Sequence, residues 1–141
     1  MLAGNLYRHD AFYLDRTTGE MKPKYLLILD PPNKGDVIAA LLTSQATGRI
    51  ENPVCSHNAP YAAYFLGVIG GKLGKKSWVD LRQLLDLDID EWNANMKKGL
   101  LHFQLTLPAN QLLLVIECAA AADDTTRMQE RRLRDALVKL R

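Results

Sequence analysis

The sequence predicts an α+β fold that is mainly β, a small antiparallel barrel followed by C-terminal helices. Short apolar runs separated by Gly, Pro and Asn turns fill roughly its first two thirds. Two of these runs, within residues 21–45, flank a Pro-Pro-Asn-Lys-Gly turn. The apolar spacing becomes helical after Pro108. Strands followed by helices are the order typical of an α+β domain.

The apolar runs place the strands. We predict strands at residues 4–14, 24–29, 37–43, 61–69, 77–85 and 87–92. The second and third are almost unbroken apolar runs, which predicts burial on both faces. The last alternates apolar and acidic residues, as expected of a half-exposed edge strand whose charges discourage edge pairing. Residues 45–60 form a long polar connection, and residues 70–76 a glycine- and lysine-rich loop.

Two helices are predicted near the C-terminus. Pro108 suits a first helical turn, and Leu112, Val115, Ile116 and Ala119 recur at helical spacing behind it. Thr126 and Gln129 match a capping box for the final helix. Met128, Leu133, Leu137 and Leu140 are predicted to line one face of that helix.

Bulk properties favour one domain over residues 1–141, with the barrel at about 1–92 and the helices at about 108–140. A formal net charge of +2 permits an anionic partner but does not require one. The apolar runs fall short of the ~20 residues that cross a bilayer, and a signal-peptide pattern is absent. We therefore expect a cytoplasmic protein that makes no membrane contact.

The two cysteines, Cys55 and Cys118, lie far apart and form neither a C-x-x-C motif nor a zinc pattern. In a reducing cytosol such residues are expected to be unpaired thiols. No metal and no cofactor are predicted.

The order of four motifs resembles the MazF/PemK-like toxins of bacterial toxin–antitoxin systems. The chain opens with Gly4-Asn5-Leu6-Tyr7, where the family has Gly-Asp-apolar-Tyr/Trp. The segment at residues 19–29 is similar to the family's Gly-Glu-x-x-Arg-Pro-apolar run, and residues 36–44 to its apolar strand ending in Thr-Ser. Residues 71–84 resemble its Gly-Leu-x-x-Asp-Ser-x-Val segment, the most specific of the four. The resemblance covers roughly residues 4–120.

This resemblance implies an SH3-like barrel, usually a homodimer, that cuts single-stranded RNA without a metal and is held inactive by an antitoxin protein. The family's RNA 2′-OH attacks the adjacent phosphate, which needs a base, a cation for the phosphorane and an acid. Thr43 and Ser44 match the family's hydroxyl position. Its arginine position falls on Lys24, or on Lys22 if the register slips, and lysine lacks the planar fork of arginine.

Further candidates come from residue chemistry. His9 could act as a general base or acid because histidine titrates near neutrality, although a surface histidine is an equally good interpretation. Arg49 could supply the guanidinium that is missing at Lys24, and His57 lies in the same long loop. Lys75 and Lys76, with Lys72, form a basic loop that resembles a phosphate cradle but lacks Walker spacing, and an exposed loop between strands is the better interpretation.

Two sets of residues keep two interpretations open. Tyr61, Tyr64 and Trp78 could stack bases, although aromatic strand residues are more often core. Asp86, Asp88 and Asp90 would share one strand face. That face could bind a cation, but a solvated sheet edge explains it equally well. The alternative function is a non-catalytic barrel that binds a protein or nucleic-acid partner.

Overall fold

The computed structural model describes residues 1–32, 35–70 and 73–141. Eight strands and three helices follow in this order: β1 Asn5–Asp15, β2 Glu20–Asp30, β3 Val37–Thr43, β4 Cys55–Ser56, β5 Ala63–Gly67, β6 Ser77–Asp80, β7 Leu85–Leu87, α1 Ile89–Lys97, β8 Leu101–Thr106, α2 Ala109–Ala120 and α3 Arg127–Leu140.

The strands form one antiparallel sheet in the order β4-β5-β6-β3-β2-β1-β8, with β7 paired to β3 beside this path. The predicted α+β, mainly β fold with C-terminal helices is therefore confirmed. Within the described residues β4 and β8 lie at opposite ends of the sheet and do not pair, so the sheet is not a closed barrel.

The centre of the sheet is the β2–β3 pair. Its apolar residues from Leu26 to Leu29 and from Val37 to Ala40 are all buried, which confirms the prediction of strands covered on both faces. The third strand ends where the sequence predicted, at Thr43. The predicted turn between the two strands contains Asn33 and Lys34, which lie outside the described residues.

Each face of the sheet has its own core because strand side chains alternate between the faces. On one face, Leu27 and Leu42 pack in a cluster with Ile116 of α2 and Leu133 of α3. On the other face, a smaller cluster contains Tyr7, Leu26 and Ile28 together with Trp92 of α1. Helices therefore cover both faces of the sheet.

The two C-terminal helices confirm their sequence signals. α2 begins directly after Pro108, and α3 begins with the predicted capping box between Thr126 and Gln129. The predicted apolar face of α3 is partly wrong, because Leu133 and Leu137 are buried whereas Met128 is 73% and Leu140 43% exposed. Buried Gln129 takes the place of Met128, and its side chain donates to the carboxylate of Asp86 at 3.1 Å.

The predicted strand at residues 87–92 is wrong, since α1 begins at Ile89. Asp88 is its N-cap and accepts hydrogen bonds from the backbone N–H groups of Asp90 and Glu91. This capping satisfies donors that a helix start leaves unpaired, and Trp92 is the residue that α1 buries. Asp86, Asp88 and Asp90 consequently do not share one strand face.

Several other strands also differ from the prediction. β2 begins at Glu20 rather than at residue 24, β5 covers Ala63–Gly67 rather than residues 61–69, and β4 lies within the predicted loop at residues 45–60. The segment at residues 77–85 divides into β6 and the start of β7, and β8 was missed. After α1 a short connection leads back to the sheet, where β8 pairs with β1. None of the helices within the described ranges is long and apolar enough to cross a membrane.

Candidate functional site

Three of the predicted catalytic residues lie side by side across the sheet. His9 of β1 is directly opposite Lys24 of β2. The β2–β3 register runs to Leu42, so the next residue, Thr43, falls opposite Lys24. Thr43 is in turn opposite Trp78 of β6. Because directly opposed residues project from the same face, these four residues form a cross-strand row.

The two ends of the β2–β3 hairpin meet at one cavity of about 210 Å³, the Lys24 pocket. Lys24, Thr43 and Ser44 all line it, so the predicted cation and both predicted hydroxyl groups lie together. The rest of its lining consists of Pro23, Tyr25, Leu42, Gln45, Leu73 and Ser77.

The side chains of the pocket keep donors available. The Lys24 Nζ lies 5.6 Å from the centroid of the Tyr13 ring, a distance at which an ammonium is attracted to a ring face. The Thr43 hydroxyl oxygen accepts from the backbone N–H of Gln45 at 3.2 Å. A hydroxyl that accepts can also donate, so its O–H could donate to a ligand in the pocket.

The imidazole of His9 has a defined tautomer when it is neutral. Its Nδ1 accepts from the backbone N–H of Ala11 at 3.2 Å, so the proton of the neutral ring is on Nε2. The Asn95 side-chain nitrogen, 3.5 Å from Nε2, is itself a donor and therefore makes no hydrogen bond with this tautomer. Burial lowers the pKa of His9 below its ordinary value, against the opposing charges of Asp10 and Glu91. The imidazole is therefore neutral at physiological pH.

His9 opens into a different cavity from its neighbours in the row. This cavity, of about 440 Å³, is bordered by the carboxylates of Asp36, Asp86, Asp88 and Glu91. The structure thus brings Lys24, Thr43 and Ser44 to one pocket and leaves His9 in a separate one.

Arg49 lies beside the Lys24 pocket without lining it. Its Nη1 donates to the backbone carbonyl of Gln45 at 2.9 Å, and Gln45 borders that pocket. The guanidinium lies over the Tyr61 ring, 4.6 Å from the centroid, and Arg82 lies 5.2 Å from the same ring. Burial lowers the pKa of Arg49, although a guanidinium stays charged in proteins.

The sequence did not indicate this pair of arginines around Tyr61. Arg82 is held by Asp80, with Nη2 2.7 Å and Nε 3.0 Å from its carboxylate oxygens. Burial opposes ionisation of Asp80, but the hydrogen bonds and charge of Arg82 keep its pKa below the ordinary value. The spacing of Asp80 and Arg82, two apart at the end of a strand, is the available signal, and it is too common to identify a site.

The remaining predicted lysines have ordinary surface environments. Lys22 pairs with Glu20 at 3.4 Å, and Lys76 pairs with Glu51 at 3.0 Å. Lys75 is exposed, and its carbonyl accepts from the Ser77 hydroxyl at 3.2 Å. Lys72 lies outside the described residues.

Of the three aromatic candidates, two belong to the core. Tyr64 and Trp78 are buried, which confirms the core interpretation, and the Trp78 indole donates to the carbonyl of Ile50 at 2.8 Å. This bond fastens the long loop over the face that carries the cross-strand row. Tyr61 is the aromatic candidate that is only half-buried.

The prediction of unpaired thiols is wrong, because Cys55 and Cys118 form a disulfide. It joins β4 to α2, two elements that pack together although 63 positions separate the cysteines. His57 lies against this disulfide, with Nε2 3.5 Å from each sulfur and 2.9 Å from the Cys118 carbonyl oxygen. His57 does not line the Lys24 pocket.

Comparisons with known proteins give no match for this chain among family models, curated proteins or solved structures.

Proposed function

We propose that this chain is a MazF/PemK-like endoribonuclease that cleaves single-stranded RNA through 2′-OH attack without a metal ion. The supporting observation is the cross-strand row, in which an imidazole, an ammonium and a hydroxyl are neighbours on one face of the sheet. General acid–base cleavage of RNA requires these three kinds of group at one phosphate.

In this mechanism the 2′-oxygen attacks the adjacent phosphorus and the bond from phosphorus to the 5′-oxygen breaks. The products are a 2′,3′-cyclic phosphate and a 5′-hydroxyl. Neutral His9 accepts the 2′-hydroxyl proton after its Nδ1 releases the Ala11 amide. Lys24 balances the phosphorane charge, and the Thr43 and Ser44 hydroxyls donate to the non-bridging oxygens. The imidazolium then returns its proton to the 5′-oxygen.

The RNA strand would extend from the Lys24 pocket toward Arg49. This guanidinium lies beside the pocket through its bond to Gln45, and Tyr61 offers an aromatic ring for base stacking. Exposed Lys75 would add positive charge for a further phosphate, whereas Lys22 and Lys76 would first have to leave Glu20 and Glu51. His57 belongs to a different group of side chains and takes no part here.

The proposal extends to architecture and partners. Register shifts within β1–β2, β2–β3 and β5–β6 bend a sheet in the manner of barrel rims, which supports an SH3-like barrel. The edge strand β8 carries Phe103, which is 56% exposed and could pack against a second copy in a homodimer. An acidic antitoxin protein would contact Lys24 and Arg49, and cytoplasmic RNA would be the substrate.

One observation favours the second candidate, a barrel that binds RNA or a protein without cleaving. His9 and Lys24 open into separate cavities, so a bound strand could contact the cation and hydroxyls without meeting the imidazole. In that case binding would depend on Lys24 and Arg49 but not on His9.

The decisive experiment incubates purified protein with end-labelled single-stranded RNA in excess EDTA. Cleavage products ending in 2′,3′-cyclic phosphate are expected, and Thr43→Ala should slow their formation by at least about 10-fold. Lys97→Ala, at an exposed position in α1, should cleave like the parent. RNA binding without cleavage would select the second candidate. Neither RNA binding nor cleavage by folded protein would eliminate the ribonuclease and leave the second candidate only with a protein partner.

A further inference from the structure

Two cysteines and one histidine from distant parts of the chain meet at the contact between β4 and α2. Cys55 and His57 are two positions apart on an extended segment, so their side chains leave it on the same side. Cys118 approaches from the last turns of α2. Their ligand atoms all lie within 4.8 Å of one another.

Two of the three distances within this group, those from the His57 nitrogen to each sulfur, are those of a tetrahedral metal site. Zinc–sulfur bonds of about 2.3 Å and zinc–nitrogen bonds of about 2.05 Å at tetrahedral angles separate nitrogen from sulfur by about 3.5 Å. The His57 Nε2 lies 3.5 Å from Cys55 Sγ and 3.5 Å from Cys118 Sγ. The imidazole is therefore already at ligand distance from both sulfurs at once.

We propose that Cys55, His57 and Cys118 form a redox-gated zinc site, a disulfide when oxidised and a three-ligand Zn²⁺ site when reduced. This inference does not depend on the proposed ribonuclease activity. Two thiolates and one imidazole leave the fourth position for water or an external ligand, as in open zinc sites. Cys55 and His57 are half-buried and Cys118 is buried, so that position would face outward past Cys55 and His57.

The conversion is balanced with a dithiol as reductant. Two electrons and two protons pass from the dithiol to the disulfide, which opens to two thiols while the dithiol becomes a disulfide. Zn²⁺ then displaces both thiol protons. The sulfurs separate to about 3.8 Å, the tetrahedral edge for two zinc–sulfur bonds.

His57 must also move its proton. A carbonyl oxygen only accepts, so the contact of 2.9 Å with the Cys118 carbonyl means that Nε2 carries hydrogen in the disulfide form. Metal binding requires the other tautomer, with the proton on Nδ1 and the Nε2 lone pair on zinc.

A purely structural role for His57 would predict a different result. Helix ends leave carbonyl groups without partners, and His57 satisfies that of Cys118 near the end of α2. His57→Gln separates the roles, because an amide can donate to the carbonyl but does not replace the imidazole as a zinc ligand.

The test titrates reduced, EDTA-treated protein with Co²⁺, a spectroscopic substitute for Zn²⁺, in the absence of oxygen. One Co²⁺ per chain is expected, with sulfur-to-cobalt charge-transfer absorption that Zn²⁺ removes. His57→Gln should weaken binding by at least about 10-fold, and the double variant Cys55→Ser/Cys118→Ser should lose the absorption. The control His102→Gln, at an exposed histidine that pairs with Asp10, should bind like the parent.

Three results would overturn the proposal: no charge-transfer absorption in the reduced protein, equal binding by the disulfide form, or unchanged affinity in His57→Gln. If reduction alone unfolds the chain, addition of Zn²⁺ should restore its far-ultraviolet circular dichroism. A reduced chain that stays unfolded with Zn²⁺ would equally contradict a zinc site.

Discussion

The backbone of Gly48 lies directly against the ring of Tyr61, so that a Cβ at residue 48 would come 2.3 Å from the Tyr61 Cδ2. Gly48 also has a positive φ of 76°, a conformation that side chains disfavour. This contact fixes the ring that Arg49 and Arg82 both approach. The long loop is thereby packed at Gly48 against Tyr61, which lies just before β5.

Gly48→Ala should therefore destabilise the protein by about 3 kcal/mol, combining backbone strain with overpacking against Tyr61. Gly19→Ala is the matched control, since Gly19 has a φ of 72° and open space around its Cβ position, and it should cost only about 1 kcal/mol. Urea denaturation measures both changes. In the double variant Gly48→Ala/Tyr61→Ala the extra cost should disappear, because the clashing ring is gone. Equal losses in the two single alanine variants would contradict the contact.

Lys24 tests the charge requirement of the proposed cleavage. Lys24→Met removes the cation and should lower the cleavage rate by about 10²-fold, the usual scale for one lost charge-stabilising donor. Lys24→Arg keeps the charge and adds a planar fork suited to phosphate, so it should retain most activity or exceed the parent. Single-turnover cleavage of labelled RNA measures both rates, with Lys97→Ala as control. Full activity in Lys24→Met would remove Lys24 from the mechanism.

His9 should set the acidic limb of the pH–rate profile. Burial lowers the pKa of His9, so the neutral base persists as pH falls and the limb should lie below about 6.5, the ordinary value for histidine. His9→Gln should lose that limb and about 10²-fold or more in rate. The control His102→Gln should keep both the limb and the rate. A limb that survives in His9→Gln would assign the titration to another group.

The lowered pKa of His9 also determines how the folding stability changes with pH. The unfolded chain takes up a proton at His9 more readily than the folded chain, so folding stability is retained above the ordinary histidine pKa and declines as pH falls through the lowered one. Urea midpoints measured between pH 7.5 and pH 5 should therefore fall less steeply in His9→Gln than in the parent.

The parts of the fold that sequence predicted are those with strong local signals. The third strand and the capping box of α3 both appeared as predicted, since unbroken apolar runs and reciprocal caps depend on neighbouring residues. The segment at residues 87–92 failed because alternating acidic residues satisfy a strand period as well as a helix start. The Asp88 cap and the burial of Trp92 against the sheet favour the helix over the strand.

The candidate site, like the fold, could be predicted from the sequence only in part. Lys24, Thr43 and Ser44 were predicted at the two ends of one hairpin, and pairing of that hairpin brings them together. The disulfide and the arginines around Tyr61 depend on packing between elements far apart in sequence. Cys55 and Cys118 meet only because α2 lies against β4, and a single sequence does not contain that information.

The disulfide should be a major contribution to stability in the metal-free protein. It closes a loop across a sequence separation of 63, and restricting an unfolded chain of that length is worth about 4 kcal/mol. Reduction by a dithiol in EDTA should lower the free energy of unfolding by that amount, measured by urea denaturation with circular dichroism. The double variant Cys55→Ser/Cys118→Ser should be no more stable than the reduced parent and should not respond to the dithiol. An unchanged midpoint after verified reduction of the parent would show that packing between β4 and α2 holds these elements without the bond.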